Sequence, residues 1–553
     1  MARTRDETIR EITTQYLDQI NPMNPPSPAD IQADILDQIQ IRFQIENKVR
    51  ASDTKWKIPD KLAPAQIADI LLRMYPVANI AYGGLNADAE YDVLSVYQTD
   101  GPDKGIYTST YQMFHQLIHQ FGYTLSDKDV SETLSILRNK APRQVRCEER
   151  NLIAVNNGIF DYDTKQLMPF NSAYVFTSKS KVDYNPNATN VVIHNSDDNT
   201  DWDIESWMDD LFDDPDITKL MWEIIGAIIR PLVPWGKSAW LYSNTGNNGK
   251  GTLCELMRQI TGAGTYASIP LADFSKDFLL EPLLKASAII VDENDVGTFI
   301  DKAANLKAII TNDVIQMNRK FKTPIAFRFK GFMVQCLNEL PKIKDRSDSF
   351  YRRQLFIPFN KCFTGKERKY IKHDYLHRKD VLEYVLYKVL NTDYYTLSEP
   401  DACKLVLEEY KEYNDPIRQF IEEILPECKW DLLPYTFLYD IYKAWFKLTV
   451  PGGTVLGRNT FINDLNKALI NHPVWYPAPA GTAVRPGTKM NAAEPLIFTY
   501  HLDQWMNPAY RGQDIEKLCH PDLKDRYKGL LRYAQGPMST NNDDWENENT
   551  QTT

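Results

Sequence analysis

Residues 243–252 read Ser-Asn-Thr-Gly-Asn-Asn-Gly-Lys-Gly-Thr, and this stretch decides the fold. It follows an apolar run, Ala239 to Tyr242, and precedes a helix-like segment, Leu253 to Ile260. A strand, a glycine-rich loop and a helix in this order are the context that a phosphate-binding loop requires. Backbone N–H groups and the helix dipole can surround a triphosphate, and Lys250 can reach its terminal phosphates. The residues predicted to bind a nucleoside triphosphate are Gly246, Asn247, Asn248, Gly249, Lys250, Gly251 and Thr252.

The loop departs from the strict pattern G-x-x-x-x-G-K-[ST] at two positions. Asn244 stands where the first glycine would be, and Gly251 stands where the hydroxyl residue after the lysine would be. We therefore assign the magnesium contact to Thr252, one position further along. Taken alone, the stretch also fits a glycine-rich turn with a chance Gly-Lys pair, so the downstream residues decide between the two interpretations.

Two apolar runs after the loop end in polar side chains. Residues 287–291 lead into Asp292 and Glu293, which follow Lys250 by 42 and 43 residues. Such a run is typical of a buried parallel strand with carboxylates at its C-terminal edge. Asp292 is predicted to hold magnesium, and Glu293 to act as general base toward the attacking water. A second run, residues 331–337, ends in Asn338, whose amide can orient that water.

Paired arginines, Arg352 and Arg353, precede a third apolar run, residues 354–359. In a ring of identical subunits, an arginine here could reach the neighbour's nucleotide and stabilise transition-state charge. Surface salt bridges are the alternative interpretation for either arginine alone.

Composition limits the class of protein. A chain of 553 residues with 43% apolar residues predicts several domains, each with its own core. The sequence contains no apolar run long enough to cross a membrane and no signal-peptide core at its start, so we expect a cytoplasmic protein without a membrane partner. The seven cysteines are scattered without a C-x-x-C pair, which argues against disulfides and a zinc site.

The net charge of −11 restricts nucleic-acid binding to local basic patches. One such patch lies between Ile300 and Lys330. Within it, at residues 314–329, apolar and polar residues alternate on both sides of a basic-aromatic tip. This pattern predicts a hairpin of two strands. The predicted DNA-binding residues at its tip are Lys320, Phe321 and Lys322: the lysines for phosphates, and the phenylalanine for a sugar or base.

The order of these motifs resembles superfamily 3 helicases, in particular the phage and plasmid primase-helicase family related to the poxvirus primase-helicase. The resemblance covers residues 140–510 and includes residues 156–161 and 182–186 of the family's pre-helicase domain. It implies a multidomain α/β fold with an AAA+-like P-loop ATPase core, an α+β N-terminal region and a C-terminal winged-helix domain. The expected domains are a helical module at 1–60, the pre-helicase domain at 61–201, the ATPase domain at 202–395, the winged helix at 396–535 and a disordered acidic tail at 536–553.

The resemblance also implies the activity. Members are ring-shaped motors, so we expect a homo-oligomer, a hexamer in this interpretation, that hydrolyses ATP with Mg²⁺ at subunit interfaces. The ring would translocate toward the 5′ end of single-stranded DNA and unwind forked DNA during replication of a phage, plasmid or mobile element, with other replication proteins as partners. Alignment with the family pattern places the hairpin of Lys320 in the ring channel and makes Arg353 the arginine finger.

The C-terminal region leaves a second function open. Three helices are predicted at 415–424, 433–446 and 459–470, with strands at 474–478 and 496–500. The family's winged helix can bind duplex DNA through its third helix. The candidate contacts are Arg458, Asn459, Asn463 and Lys467. The alternative functions are therefore an initiator that binds origin DNA and uses ATP as an assembly switch, and a nucleotide kinase that shares the Gly-Lys-Gly-Thr form.

Two tempting sites receive a structural interpretation. The pair Asp161 and Asp163 resembles the metal-binding aspartates of a polymerase-type primase, but a turn-like Thr-Lys follows at once, which favours a hairpin. The pairs His115/His119 and His373/His377 have helical spacing for a metal, but neither has a further ligand nearby in the sequence. We expect these histidines to be packed or exposed without a metal.

Overall fold

The computed structural model describes residues 3–21, 25–122, 124–276, 278–320, 322–449, 455–479 and 482–533. The chain divides into two compact units, Met1–Glu408 and Glu409–Thr553. The predicted tail at 536–553 lies outside the described residues. In the described part of the chain, no helix combines the length and apolar character needed to cross a lipid bilayer.

The N-terminal third of the first unit combines helices with a small mixed sheet. Its elements are α1 (Arg5–Gln19), α2 (Pro28–Asn47), α3 (Pro64–Met74), β1 (Val77–Ala81), β2 (Val93–Tyr97), β3 (Tyr107–Thr108), α4 (Tyr111–His119), α5 (Asp127–Lys140) and β4 (Arg143–Val145). The sheet order is β3-β2-β1-β4, with β1 and β4 parallel. The side chains of Thr4 and Ser27 cap the first turns of α1 and α2.

The first 60 residues share a core with the residues that follow them. Ile35 and Phe43 of α2 are fully buried in the same cluster as Ile67 of α3 and Leu137 of α5. The N-terminal helices therefore pack into the adjoining α+β region, and the boundary expected at residue 60 falls inside one core.

Two antiparallel sheets connect this region to the main sheet. They are formed by β5 (Leu152–Val155), β6 (Gly158–Asp161) and β7 (Gln166–Met168), and by β8 (Ile193–Asn195) and β9 (Thr200–Trp202). The turn between β6 and β7 contains Lys165 with a positive φ of 56°. The predicted hairpin around Asp161 and Asp163 is therefore confirmed. The polar composition of residues 185–201 predicts a linker or long loop. The stretch instead includes the β8–β9 hairpin.

The remainder of the first unit is built on a larger sheet. Its elements are α6 (Ile204–Asp210), α7 (Pro215–Ile229), β10 (Ser238–Tyr242), α8 (Lys250–Thr261), β11 (Tyr266–Ala267), β12 (Ala288–Val291), β13 (Phe299–Ile300), α9 (Ala304–Ile310), β14 (Val314–Arg319), β15 (Lys322–Arg328), β16 (Phe332–Leu337), β17 (Lys342–Ile343), α10 (Asp348–Tyr351), β18 (Gln354–Pro358), α11 (Lys369–His373), α12 (Lys379–Asn391) and α13 (Asp401–Tyr413). The last helix crosses the boundary between the two units.

The larger sheet has five strands in the order β11-β12-β16-β10-β18, and every neighbouring pair is parallel. Its strands are apolar runs without alternation because both faces are covered: β12 and β16 are buried along their whole length. The loop after β10 and the polar ends of β12 and β16 therefore meet at one edge. The predicted multidomain α/β class, with a parallel sheet at its centre, is confirmed.

The second unit contains α14 (Pro416–Ile424), β19 (Leu432–Pro434), α15 (Tyr435–Thr449), α16 (Arg458–Ala468), β20 (Trp475–Pro477), α17 (Leu496–Thr499), α18 (Ile515–Leu518) and β21 (Gly529–Arg532). Its three strands form an antiparallel sheet in the order β19-β21-β20. The three predicted helices are confirmed. The predicted strand at 496–500 is wrong: after Pro495 the chain closes a short helix, with Thr499 and Tyr500 donating to the carbonyls of Pro495 and Leu496.

Candidate functional site

The loop between β10 and α8 is held by its own side chains. Asn248 is buried and donates its amide to the carbonyl of Thr245 at 2.5 Å. Gly249 caps α8 with φ 87°, and a Cβ there would lie 2.7 Å from Leu211 Cδ2. The positive φ favours glycine at this position, and a Cβ would in addition displace the Leu211 side chain. The strand, loop and helix predicted around residues 243–252 are confirmed.

Lys250 is the first residue of α8 and is 5% exposed. Its ammonium donates to the Ser243 carbonyl at 3.5 Å, and burial lowers the pKa of Lys250. Because a buried ammonium is costly without an anionic partner, this position favours an anion at the mouth of the loop. The helix N-terminus, where the first N–H groups lack an intrahelical partner, adds to the same preference.

The two acids after β12 are exposed at the same sheet edge. Asp292 accepts two hydrogen bonds from Arg258 of α8, at 2.9 and 3.1 Å, and this contact lowers the pKa of Asp292. The carboxylate therefore stays ionised, as a cation ligand must. Arg258 was not singled out in the sequence, because the pairing joins a helix and a strand end with no shared local pattern. Glu293 directly follows Asp292 and is also exposed.

Asn338 is exposed directly after β16, next to the start of the loop. The Ser243 N–H donates to the Leu337 carbonyl at 3.1 Å, which fixes the end of β16 beside Ser243. A neighbouring amide, Asn294, is buried and donates to Gln335 Oε1 and to the Cys336 carbonyl, both at 3.0 Å. Asn294 thereby ties the segment after Glu293 to β16. Sequence reasoning missed this residue because an asparagine two positions after an aspartate carries no signal of its own.

The paired arginines lie between α10 and β18, and they differ in environment. Arg353 is half-buried, and its guanidinium donates to the Ser349 carbonyl of α10. Its own carbonyl accepts the Ser238 N–H at 2.8 Å, so the backbone of Arg353 is part of the sheet edge. Arg352 is exposed.

The predicted hairpin is formed by β14 and β15, which are antiparallel with Val314 opposite Arg328 and Arg319 opposite Lys322. Lys320 lies at its tip and is exposed. Phe321, the second predicted DNA contact, lies outside the described residues. The third, Lys322, begins β15. The hairpin is therefore confirmed as a fold element, with Lys320 at its turn.

The base of this hairpin is clamped by the N-terminal region. The buried Arg146 guanidinium lies 4.7 Å from the ring of Tyr82 and 5.4 Å from that of Phe327, and it donates to the Arg328 carbonyl. The Tyr82 and Phe327 rings stack at 5.9 Å. A Cβ at Gly83 would lie 2.8 Å from the Ala326 Cβ and 2.9 Å from the Ala326 carbonyl oxygen. The backbone at Gly83 therefore packs directly against β15. These contacts with the N-terminal region thus fix the position of β15.

Three family profiles match the chain in succession. A profile described as D5 N terminal like matches residues 29–213, and one described as poxvirus D5 protein-like matches residues 412–487. By these two matches, the chain is similar to the primase-helicase family related to the poxvirus D5 protein. The resemblance predicted from the motifs is thereby confirmed. Between the two matches, residues 241–353 match a family of unknown function, DUF5906, and this span contains both the loop and the hairpin.

The similarity to this D5-related family indicates an enzyme with a role in phage DNA replication. Solved apo structures of the NrS-1 C-terminal region are similar over much of the chain, at 13% identity and a TM-score of 0.38. One match covers 73% of this chain and 86% of that one, and another covers 77% and 98%. Among curated proteins, none matches the sequence significantly.

Proposed function

We propose that the chain is an ATP-dependent DNA helicase that assembles into a ring and moves on single-stranded DNA through its Lys320 hairpin. The observation that carries this proposal is the buried ammonium of Lys250 at the junction of loop and helix, facing the sheet edge where Asp292, Glu293 and Asn338 emerge. A cation, a pair of acids and an amide converge there, which is the set that phosphoryl transfer needs. The D5-related family supports the same assignment.

The proposed core is an AAA+-like P-loop ATPase. The strand that leads into the loop, β10, lies between β16 and β18, so one strand separates it from the acidic strand β12. Asn338 therefore lies between the loop and the acids, where an amide can orient a water molecule. Each strand next to β10 adjoins one set of predicted site residues. Asn338 follows β16, and Arg352 and Arg353 precede β18.

ATP and Mg²⁺ are the proposed cofactors, and the residues present fit both. Among the residues that the structure describes, no three His, Cys, Asp or Glu side chains are grouped as metal ligands. Proteins commonly bind Mg²⁺ through one or two carboxylates, with phosphates and water completing its octahedron. Thr252 in the first turn of α8 and the ionised Asp292 would supply the protein ligands. Glu293 would take the proton of the attacking water, and Mg²⁺ would neutralise charge on the phosphates.

One measurement tests the function as a whole: ATP turnover with and without single-stranded DNA, alongside displacement of a labelled strand from a fork. We expect DNA to stimulate turnover and the strand to be displaced over many cycles. Unchanged turnover on adding DNA, with a chain that stays monomeric when ATP and DNA are both present, would refute the motor. Phosphoryl transfer to a nucleoside monophosphate would instead identify a kinase.

Lys320→Ala is expected to impair unwinding and DNA-stimulated turnover more than basal ATP hydrolysis. The side chain is exposed at the hairpin tip, where a lysine contacts phosphates without reading sequence. Removing one phosphate contact should lower the salt slope of DNA binding by about 1, uniformly across sequences. Lys302→Ala, an exposed lysine outside the hairpin, is the matched control. Equal effects of the two substitutions would remove the hairpin from the DNA path.

The second unit favours an additional candidate function, an initiator that binds origin DNA. Its α14, α15 and α16, with a three-stranded antiparallel sheet, support a winged-helix domain. The candidate contacts Arg458, Asn459, Asn463 and Lys467 are all exposed on α16. A footprint confined to one duplex sequence, together with ATP-dependent assembly but no strand displacement, would favour the initiator over the motor.

A further inference from the structure

The segment after the last strand of the main sheet lies against the phosphate loop of its own subunit. We call residues 361–373 the covering segment. The Phe363 N–H donates to the Asn247 carbonyl at 2.7 Å. The Asn247 amide in turn donates to Thr364 and Glu367, each at 3.2 Å. These contacts hold the covering segment in a fixed position over the loop.

The covering segment brings Lys372 of α11 to the first turn of α8. A Cβ at Gly251 would lie 3.7 Å from the Lys372 ammonium nitrogen, an ordinary contact distance. Gly251 directly follows Lys250, at the position where the strict loop pattern has a serine or threonine. The ammonium therefore lies beside the space that a hydroxyl side chain would occupy in that pattern.

The positive charge of Lys372 also acts on Asp292, which directly follows β12. The pKa of Asp292 is lowered first by its hydrogen bond from Arg258, and Lys372 adds a smaller lowering. Lys372 thus lies within electrostatic reach of both the helix start and the carboxylate. Among the described residues, neither the Lys372 nor the Lys250 ammonium has a carboxylate within ion-pair distance. Neither of these two ammonium groups beside the loop is neutralised by a carboxylate. A ligand with several negative charges would complement both of them.

We propose that Lys372 is a second lysine ligand of the terminal phosphate, contributed by the same subunit as Lys250. The inference rests on the proposed function, since it assigns a further residue to the same nucleotide site. It also gives a reason for the glycine at position 251, where the strict pattern has a serine or threonine. The Lys372 ammonium of α11 lies next to the space that the hydroxyl side chain would occupy. A phosphate bound by both ammonium groups would offset their mutual repulsion with its own negative charge.

The test is nucleotide affinity of the full-length chain, measured with ATP and ADP in the presence of Mg²⁺. Lys372→Met is expected to weaken ATP binding by about 10- to 100-fold, the range for losing one hydrogen bond between charged groups. ADP binding should change far less, because ADP lacks the terminal phosphate. Lys372→Arg should retain much of the ATP affinity, because it keeps the charge.

Lys369→Met provides the matched control, since Lys369 is exposed on the same short helix. It should leave both affinities unchanged, and thermal melting should confirm that each variant is folded. Unaltered ATP affinity in Lys372→Met, or equal loss for ATP and ADP, would overturn the inference while leaving the proposed function intact. If the wild-type chain bound no ATP, or bound it independently of Lys250, the proposed function and this inference would fail together.

Discussion

Lys250→Ala is expected to abolish ATP hydrolysis, with a loss of at least about 10²- to 10³-fold, the usual effect of removing one transition-state donor. The lysine is almost fully buried, and its ammonium contacts a single carbonyl, so its charge is directed at the mouth of the loop rather than at a protein carboxylate. Turnover of purified protein at saturating ATP measures the effect. Lys250→Met, which preserves most of the side-chain volume, separates lost chemistry from lost packing.

Glu293→Gln is the informative partner of that substitution. The glutamine keeps the shape of the side chain but cannot accept a proton, so hydrolysis should fall by about 10²- to 10⁴-fold while ATP binding persists. ATP should then trap assembled rings, visible as a stable oligomer by size-exclusion chromatography with light scattering. Asp295→Asn, an exposed acid two positions further on, should behave as wild type. Equal loss of ATP binding in Lys250→Ala and Glu293→Gln would contradict the separate roles assigned to them.

Arg353→Ala is expected to reduce ATP turnover by about 10³-fold or more if this arginine completes the neighbour's site. Neither Arg353→Ala nor Lys250→Ala subunits should then hydrolyse ATP alone, but a mixture should regain activity. In such a mixture, some interfaces pair an intact loop with an intact arginine, because the contact between subunits in a ring is head-to-tail. The measurement is turnover as a function of mixing ratio at constant total protein.

Arg352→Ala is the necessary comparison, because the two arginines have different surroundings. To reach another subunit, Arg353 would have to release the Ser349 carbonyl, whereas Arg352 is already exposed. Rescue obtained with Arg352→Ala subunits instead would transfer the finger to that residue. No rescue for either arginine at any mixing ratio would exclude a nucleotide site shared between subunits.

Local patterns in the sequence predicted the elements of the candidate site well. The apolar runs before Ser243, Asp292 and Asn338 became parallel strands, because an uninterrupted run of apolar residues suits a strand that is buried on both faces. The alternation in residues 314–329 became the β14–β15 hairpin for the corresponding reason, the period of 2 in a strand. Less regular regions were predicted less well, as the β8–β9 hairpin within 185–201 and the helix at Leu496–Thr499 demonstrate.

The sequence by itself determined which residues carry the chemistry: a lysine after a glycine-rich loop, acids and an amide at strand ends, and lysines at a hairpin turn. Each signal lies within a few neighbouring residues, where backbone geometry fixes which side chains share an edge. Only the tertiary structure decided what surrounds them, namely Arg258 on Asp292, Arg146 at the hairpin base and Lys372 beside Gly251. These contacts join residues far apart in the chain, and packing of the whole domain, which no local pattern records, brings them together.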